Sequence, residues 1–307
     1  MSHASKMTGR RLPLVRTLLT VRALLMMSAL FALSSASAAS NFVTLDGSSL
    51  VKTTIELPLQ GITLEYKANV RLLQVLDDAN ASFNANASSN ENASGSIGYF
   101  PLSAQLFDKT NTQANESNKA NKTIEAKKRN VFSQLDAFSV EEPEANLVRQ
   151  QLASFQYLNR VFIELDRNAV ISQSGKNPLL VSSFHTNKSS DGQTQAFSLY
   201  LPQRPTSIQL MGAMKESVTM NLIEHGTLND YLDALPNGFV GESADKSVAY
   251  VVQPDGVVQT IQYAYWNEQP VYLAPGAIVF MAFYSLPSEY STLNQDIVDL
   301  LRHKVGL

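Results

Sequence analysis

Hydrophobic and polar positions alternate, then recur at helical spacing, then alternate again along this chain. After residue 41, FVTLDGSSLVKTTIELPL has apolar residues alternating around Asp46-Gly47, which predicts a hairpin whose turn glycine takes a positive φ. Val70, Leu73, Val75, Leu76 and Ala79 then sit near helical spacing and predict a short helix. From Asn118 to Tyr157 two helical stripes follow, one of Ile124, Val131, Leu135 and Phe138, the other of Val148, Leu152 and Phe155. The intervening SVEEPE carries the acidic residues and first-turn proline of a helix start, so 118–157 reads as an antiparallel helical hairpin. Strand patterns resume in RVFIELD (Arg160 to Asp166), NPLLVSSF and QAFSLYLP.

Arg204-Pro205 reads as a linker into a second domain. There TSIQLMGAM and ESVTMNLI predict two strands, and TLNDYLDAL a short helix capped by Thr227 with Asp230 completing a capping box. SVAYVVQPDGVVQTIQYAYW predicts a hairpin turning at Pro254-Asp255-Gly256, and AIVFMAFY (Ala277 to Tyr284) a last strand. Two strands, a helix and three further strands, with the helix on one sheet face, match the β-grasp arrangement and an α+β class. The tail places Tyr290, Leu293, Ile297, Leu300 and Leu301 on one face of an amphipathic helix over 287–305, with Ser288 as its N-cap. Such a face packs on its own domain or docks on a partner.

Composition changes this picture at two places. Lys6, Arg10, Arg11, Arg16 and Arg22 precede the apolar run Ala23 to Leu33 and the small-residue stretch around Ala36 and Ala38. That is the layout of a secretory signal over 1–38, and its run is shorter than the ~20 apolar residues of a membrane span. Removing those five cations leaves 19 Lys+Arg against 27 Asp+Glu over the 269 residues after Ala38, a formal charge of −8. An acidic exported chain has no electrostatic reason to bind nucleic acid, and no span is expected after cleavage. The second place is 78–98, where Asn, Ser and Ala make up 15 of 21 residues. A tract so polar and small-chained predicts a disordered, low-complexity insert.

Candidate chemistry is sparse. The chain has no cysteine and four histidines, which removes thiol catalysis and thiolate metal sites; no cofactor or metal is expected. None of the motifs for an activated serine, a metalloprotease or a phosphate loop occurs. Glu164 and Asp166 share a strand face as a possible carboxylate pair, but an i,i+2 pair on one strand is the pattern of a solvated face. Asp299 and His303 lie one helical turn apart, the spacing of a surface ion pair.

The run Ser243 to Asn267, then LAPGAIVFMAFY and EYSTLNQDIVDLLRHKV, resembles the C-terminal half of the GfcC-like capsule biosynthesis proteins. RQQLASFQYLNRVFIELD (Arg149 to Asp166) and LPQRPTSIQLMGA (Leu201 to Ala213) fit the same family in the same order. The resemblance implies two tandem β-grasp domains, here 41–202 and 204–285, the first interrupted by the helical hairpin and the whole closed by the tail helix. It implies a non-enzymatic accessory in the periplasm of a Gram-negative bacterium, serving capsule or exopolysaccharide export. Its partners would be the polysaccharide or the outer-membrane polysaccharide export machinery.

The family carries an arginine in a cavity at the place of Arg160. A guanidinium can grip a carboxylate or phosphate through paired hydrogen bonds, so Arg160 is the leading candidate for an acidic glycan or a partner's carboxylate. A structural arginine, paired with Glu164 or a helix C-terminal carbonyl, is the alternative. Tyr157, Tyr263, Tyr265 and Tyr272 join it as candidate ligand-binding residues, since aromatic faces stack on sugar C–H surfaces. Trp266 is expected in the core beneath the tail helix. Tyr290, Leu293, Ile297, Leu300 and Leu301 are the candidate partner-docking face. Two other classes stay open: a polysaccharide-modifying hydrolase or lyase using Glu164, and a structural adaptor docking through the tail helix.

Overall fold

A computed structural model describes residues 52–87, 98–110, 119–183 and 194–306. The signal segment 1–38, the Asp46-Gly47 turn and residues 88–97 of the insert lie outside them.

The described chain is α+β, with two mixed five-stranded sheets. The first is opened by β1 (Thr53–Leu57) and β2 (Ile62–Tyr66), whose burial alternates so that Ile55, Leu57, Ile62 and Leu64 face inward. Their turn ends at Gly61, at φ 64°. The other strands are β3 (Gln105–Asp108), β4 (Asn159–Val161) and β5 (Gln195–Tyr200), in the order β2-β1-β5-β3-β4. The second sheet contains β6 (Ser207–Gly212), β7 (Val218–Asn221), β8 (Ala244–Val252), β9 (Val258–Gln262) and β10 (Ile278–Phe283), in the order β7-β6-β10-β8-β9. The two sheets therefore repeat one plan. In each, the last strand lies parallel to the first and antiparallel to the third. A helix follows the opening hairpin in both: α1 (Leu72–Ala87) in the first and, counting along the chain, α5 (Leu228–Asp233) in the second.

The remaining helices are α2 (Lys119–Phe138), α3 (Glu144–Ala153), α4 (Arg167–Ser172) and α6 (Leu293–Leu301). In sequence, α2 and α3 lie among the strands of the first sheet. Their apolar stripes are nevertheless buried on the second, where Val131, Leu135, Val148 and Leu152 share one core with Met211, Phe280, Ile297 and Leu300. Polar contacts fix that placement. Gln151 Oε1 accepts from Gly212 N at 2.8 Å, and its Nε2 donates to the carbonyls of Gly212 and Met214 at 3.1 and 3.2 Å. The Glu144 carboxylate accepts from the backbone N–H groups of Glu242 and Ser243 at 2.9 and 3.1 Å. A side chain at Gly241 would collide with that carboxylate. With α5 packed through Leu228 and Tyr231 on the opposite face, the central strand β10 is buried on both sides, which explains its unbroken apolar run. The first sheet keeps a separate core with α1 and α4, around Leu72, Leu76, Val170 and Phe197. The described residues nonetheless form one compact unit across the Arg204-Pro205 linker.

Several expectations are corrected here. The helix α1 runs on through Asn80, Ser82 and Asn84, because Val75, Leu76 and Ala79 anchor its inner face, so 78–87 is helix and not disordered insert. The run RVFIELD is extended and ladder-paired only to Val161, and Asp166 then caps α4 by accepting from Asn168 N at 2.9 Å. The described residues of NPLLVSSF contribute only an isolated bridge between Leu179 and Arg71. The tail helix starts at Leu293, and Ser288–Tyr290 form a separate 3-10 turn. At α5 the Thr227–Asp230 capping box forms as read from the sequence.

Candidate functional site

Arg160 sits on the edge strand β4, registered against Phe107 of β3, and its side chain leaves the first sheet toward the second. Its Nη2 donates to Pro254 O at 2.6 Å and to Ala104 O at 3.4 Å, and Nη1 reaches Arg302 O at 3.5 Å. Only 7% of the residue is exposed. Burial draws the guanidinium pKa down to about 10; Asp255 opposes the fall and Arg302 adds to it, so the group stays charged at neutral pH. Of the two roles open for Arg160, the contacts are those of the structural one. It is bound to carbonyls, one at the C-terminal end of α6, whereas Glu164 is paired with Lys176 at 3.0 Å.

Phe162, two residues on, organises the neighbouring charges. Its ring lies 5.5 Å from the Arg160 guanidinium carbon and 4.4 Å from that of Arg302, with His303 edge-on at 5.6 Å. Arg302 Nε in turn donates to Gly256 O at 2.8 Å. Gly256 has φ 87°, and a Cβ there would come within 2.5 Å of the Phe162 ring, so the Pro254-Asp255-Gly256 turn needs glycine for both conformation and space. The imidazole of His303 is buried, and its Nδ1 accepts from Arg160 N at 3.2 Å. Burial, helped by Lys127 and Arg302, lowers its pKa to about 4.

This cluster floors a groove. A cavity of about 620 Å³ is lined by Phe100, Leu102, Phe162, Glu164, Asp166 and Asp255, with Arg160 at its base. A second, of about 530 Å³, shares Leu102 and Asp255 and continues to Val257, Gln259, Thr260 and Tyr272. Phe162 is 43% and Tyr272 72% exposed, so both offer ring surface to the groove.

The carboxylates at the groove are engaged structurally. Glu164 Oε1 accepts from Asp166 N at 3.1 Å, and the hydrogen bond from Lys176 chiefly holds its pKa below the usual range. A general acid needs the opposite shift. Asp166 caps α4, and Asp255 Oδ1 accepts from Val257 N at 2.9 Å. Among the described residues no three His, Asp or Glu side chains gather closely enough to hold a metal ion, and no helix is long and apolar enough to cross a membrane.

The other candidate residues disperse. Tyr157 is buried, its hydroxyl donating to Leu152 O at 2.9 Å, and its neighbourhood is α3 and Lys304. Tyr263 is buried with its hydroxyl on Asp245 O, while Tyr265 is 97% exposed. They part because β9 ends at Gln262 and the chain turns, with Asn267 N donating to Ala264 O at 2.9 Å. Trp266 is on the same turn and 77% exposed, not beneath the tail helix. Of the tyrosines, Tyr272 alone lines the groove among the described residues. Leu293, Ile297, Leu300 and Leu301 are buried in the core shared with α2 and β10, and the Tyr290 ring lies tilted against Phe138 at 5.1 Å. The chain itself covers the face expected to dock a partner.

Nothing in the sequence pattern marks Phe162 or Asp255 as site residues. The Pro-Asp-Gly turn announces a hairpin but not the chain segment that will face it.

Residues 216–306, from just before β7 to the end of the tail, match the family model described as capsule biosynthesis GfcC C-terminal. The uncharacterized protein YjbG of Escherichia coli (strain K12) is 28% identical over 165 residues, which is 52% of this chain. The match spans 60% of that relative's length. Asp255, Tyr272 and Arg302 fall inside the family match, and Arg160 precedes it. Over residues 216–306, which hold β7 to β10 and the tail helix, the chain is similar to the capsule biosynthesis proteins of the GfcC family, and the resemblance read from its sequence stands.

Proposed function

We propose that the protein is an exported, non-enzymatic accessory of capsule or exopolysaccharide assembly, which binds the polymer or a component of its export machinery in the groove between the two sheets. The family match supports the pathway. The signal layout of residues 1–38 supports the periplasm as the site of action. The shared strand order, with a helix after each opening hairpin, supports reading both sheets as β-grasp modules.

The observation that carries the binding role is the groove itself. It exposes Phe162 and Tyr272, while Arg160, Glu164 and Asp166 are tied into the fold by hydrogen bonds. Exposed aromatic surface beside a concavity is a feature of recognition sites, and charged groups locked to backbone are poorly placed for proton transfer.

Complementation of a gene deletion tests this. The deletion is expected to lower surface polysaccharide, wild-type protein to restore it, and a Phe162→Ala/Tyr272→Ala variant present at wild-type level to fail. Unchanged polymer in the deletion strain, or full rescue by the variant, would overturn the proposal.

A further inference from the structure

The groove's charges point away from an acidic ligand. The cation such a ligand would seek, Arg160, directs its N–H groups to the carbonyls of Pro254, Ala104 and Arg302 and is 7% exposed. Of the neighbouring cations, Arg302 and Lys176 are committed as well, while the exposed Arg204 lies over the Phe100 ring at 5.3 Å. Arg302 has Nε on Gly256 O, Nη1 at 3.8 Å from Asp299 and its face on Phe162, and Lys176 is bound to Glu164. What a ligand meets is different in kind. Asp255 is exposed with one oxygen held by Val257 N, and Asp166 has one oxygen on Asn168 N. Beside them stand the Phe162 and Tyr272 rings and the neutral Gln259 and Thr260.

Carboxylates with an open oxygen accept hydroxyl hydrogens in strong, charge-assisted bonds, and aromatic rings take the C–H faces of sugars. An anion brought beside the open oxygens of Asp255 and Asp166 meets like charge, and the N–H groups of Arg160 and Arg302 are turned to backbone carbonyls and do not grip it.

We propose that the groove takes saccharide units without an anionic group and selects against uronic acids and phosphorylated sugars. This names the ligand class of the groove and rests on the binding function above. It also reverses the acidic-glycan expectation attached to Arg160.

The test has two stages, both on the purified protein. Titration with the surface polysaccharide of the producing cells first establishes binding, and its absence would overturn the binding function itself. A uronic-acid oligosaccharide and its carboxyl-reduced counterpart, identical in linkage, are then used as competitors. The reduced form is expected to displace the polymer at a concentration at least about tenfold lower than the acid form, the discrimination one close like charge gives at partly screened range. Asp255→Asn, which keeps the acceptor for Val257 N, should narrow that gap, and Tyr272→Ala should weaken both competitors. Equal or stronger competition by the acid form, or competition by neither, would overturn the ligand class while leaving polymer binding intact.

Discussion

Arg160 Nη2 donates to the Pro254 carbonyl at 2.6 Å, and this bond ties the edge strand of the first sheet to the β8–β9 turn of the second. The same guanidinium reaches Ala104 O and Arg302 O, so one side chain joins a strand entry, a hairpin turn and the end of α6. Arg160→Ala would leave buried carbonyls without donors, and the expected loss is roughly 2–3 kcal/mol of stability. Arg160→Lys should recover only part, since an ammonium lacks the planar fork. Urea denaturation midpoints measure both; a wild-type midpoint for Arg160→Ala would contradict the structural role.

His303 makes stability acid-sensitive. Its pKa lies near 4 in the folded chain against 6.5 ordinarily, so between those values the unfolded chain binds a proton that the folded one refuses. The contribution is complete above pH 6.5 and falls away as pH drops toward 4, by about 3 kcal/mol in total. His303→Gln, which can still accept from Arg160 N, should flatten the curve of stability against pH in that window. An unchanged curve would count against the neutral, buried imidazole.

Lys304 works in the alkaline range. Burial lowers its pKa to about 8 from 10.5. Its ammonium donates to Gly306 O at 3.1 Å and lies 4.9 Å from the Phe155 ring. The unfolded chain holds this proton up to higher pH, so stability rises as pH goes from 8 to 10.5 and the cost is fully present at neutral pH. Lys304→Met should raise Tm at pH 7, by the equivalent of about 1–2 kcal/mol, and the gain should vanish above pH 10.5. Thermal melts at the two pH values decide it.

Two glycines at positive φ should respond differently to alanine. Gly212 has φ 112°, and a Cβ there would lie 2.3 Å from Met281 O, beneath the Gln151 hydrogen bonds. Gly61, at φ 64°, has no atom within 4 Å of such a Cβ. Gly61→Ala should cost about 1 kcal/mol, the left-handed backbone alone, and Gly212→Ala about 3 kcal/mol or more, because it adds a collision with backbone. Equal midpoints for the two variants would remove the close approach of β6 and β10.

Where local chemistry decided structure, the sequence was readable. The Thr227–Asp230 capping box, the Pro254-Asp255-Gly256 turn and the apolar β10 are each specified by a few adjacent residues. Pairing across long separations was not. The stripe of α2 and α3 predicts a helical hairpin but not which sheet it covers, which Gln151 and Glu144 settle through backbone groups of residues 212–214 and 242–243. Strand alternation puts Trp266 on the face opposite Tyr263 and Tyr265 and so in the core, yet the strand stops four residues earlier and the turn carries it outward. At the site, Arg160 stands out through the family resemblance and its place where the helical hairpin gives way to the strand RVFIELD. Its carbonyl partners are backbone atoms up to 142 residues away, which no side-chain pattern encodes.

The most direct measurement is calorimetric titration of the purified protein with the producing cells' surface polysaccharide, with polymer length followed in the same samples. Saturable binding that weakens in Phe162→Ala/Tyr272→Ala, with no shortening of the polymer, is the predicted result. Failure to bind would contradict a binding accessory, and shortening of the chains by wild-type protein would make it an enzyme.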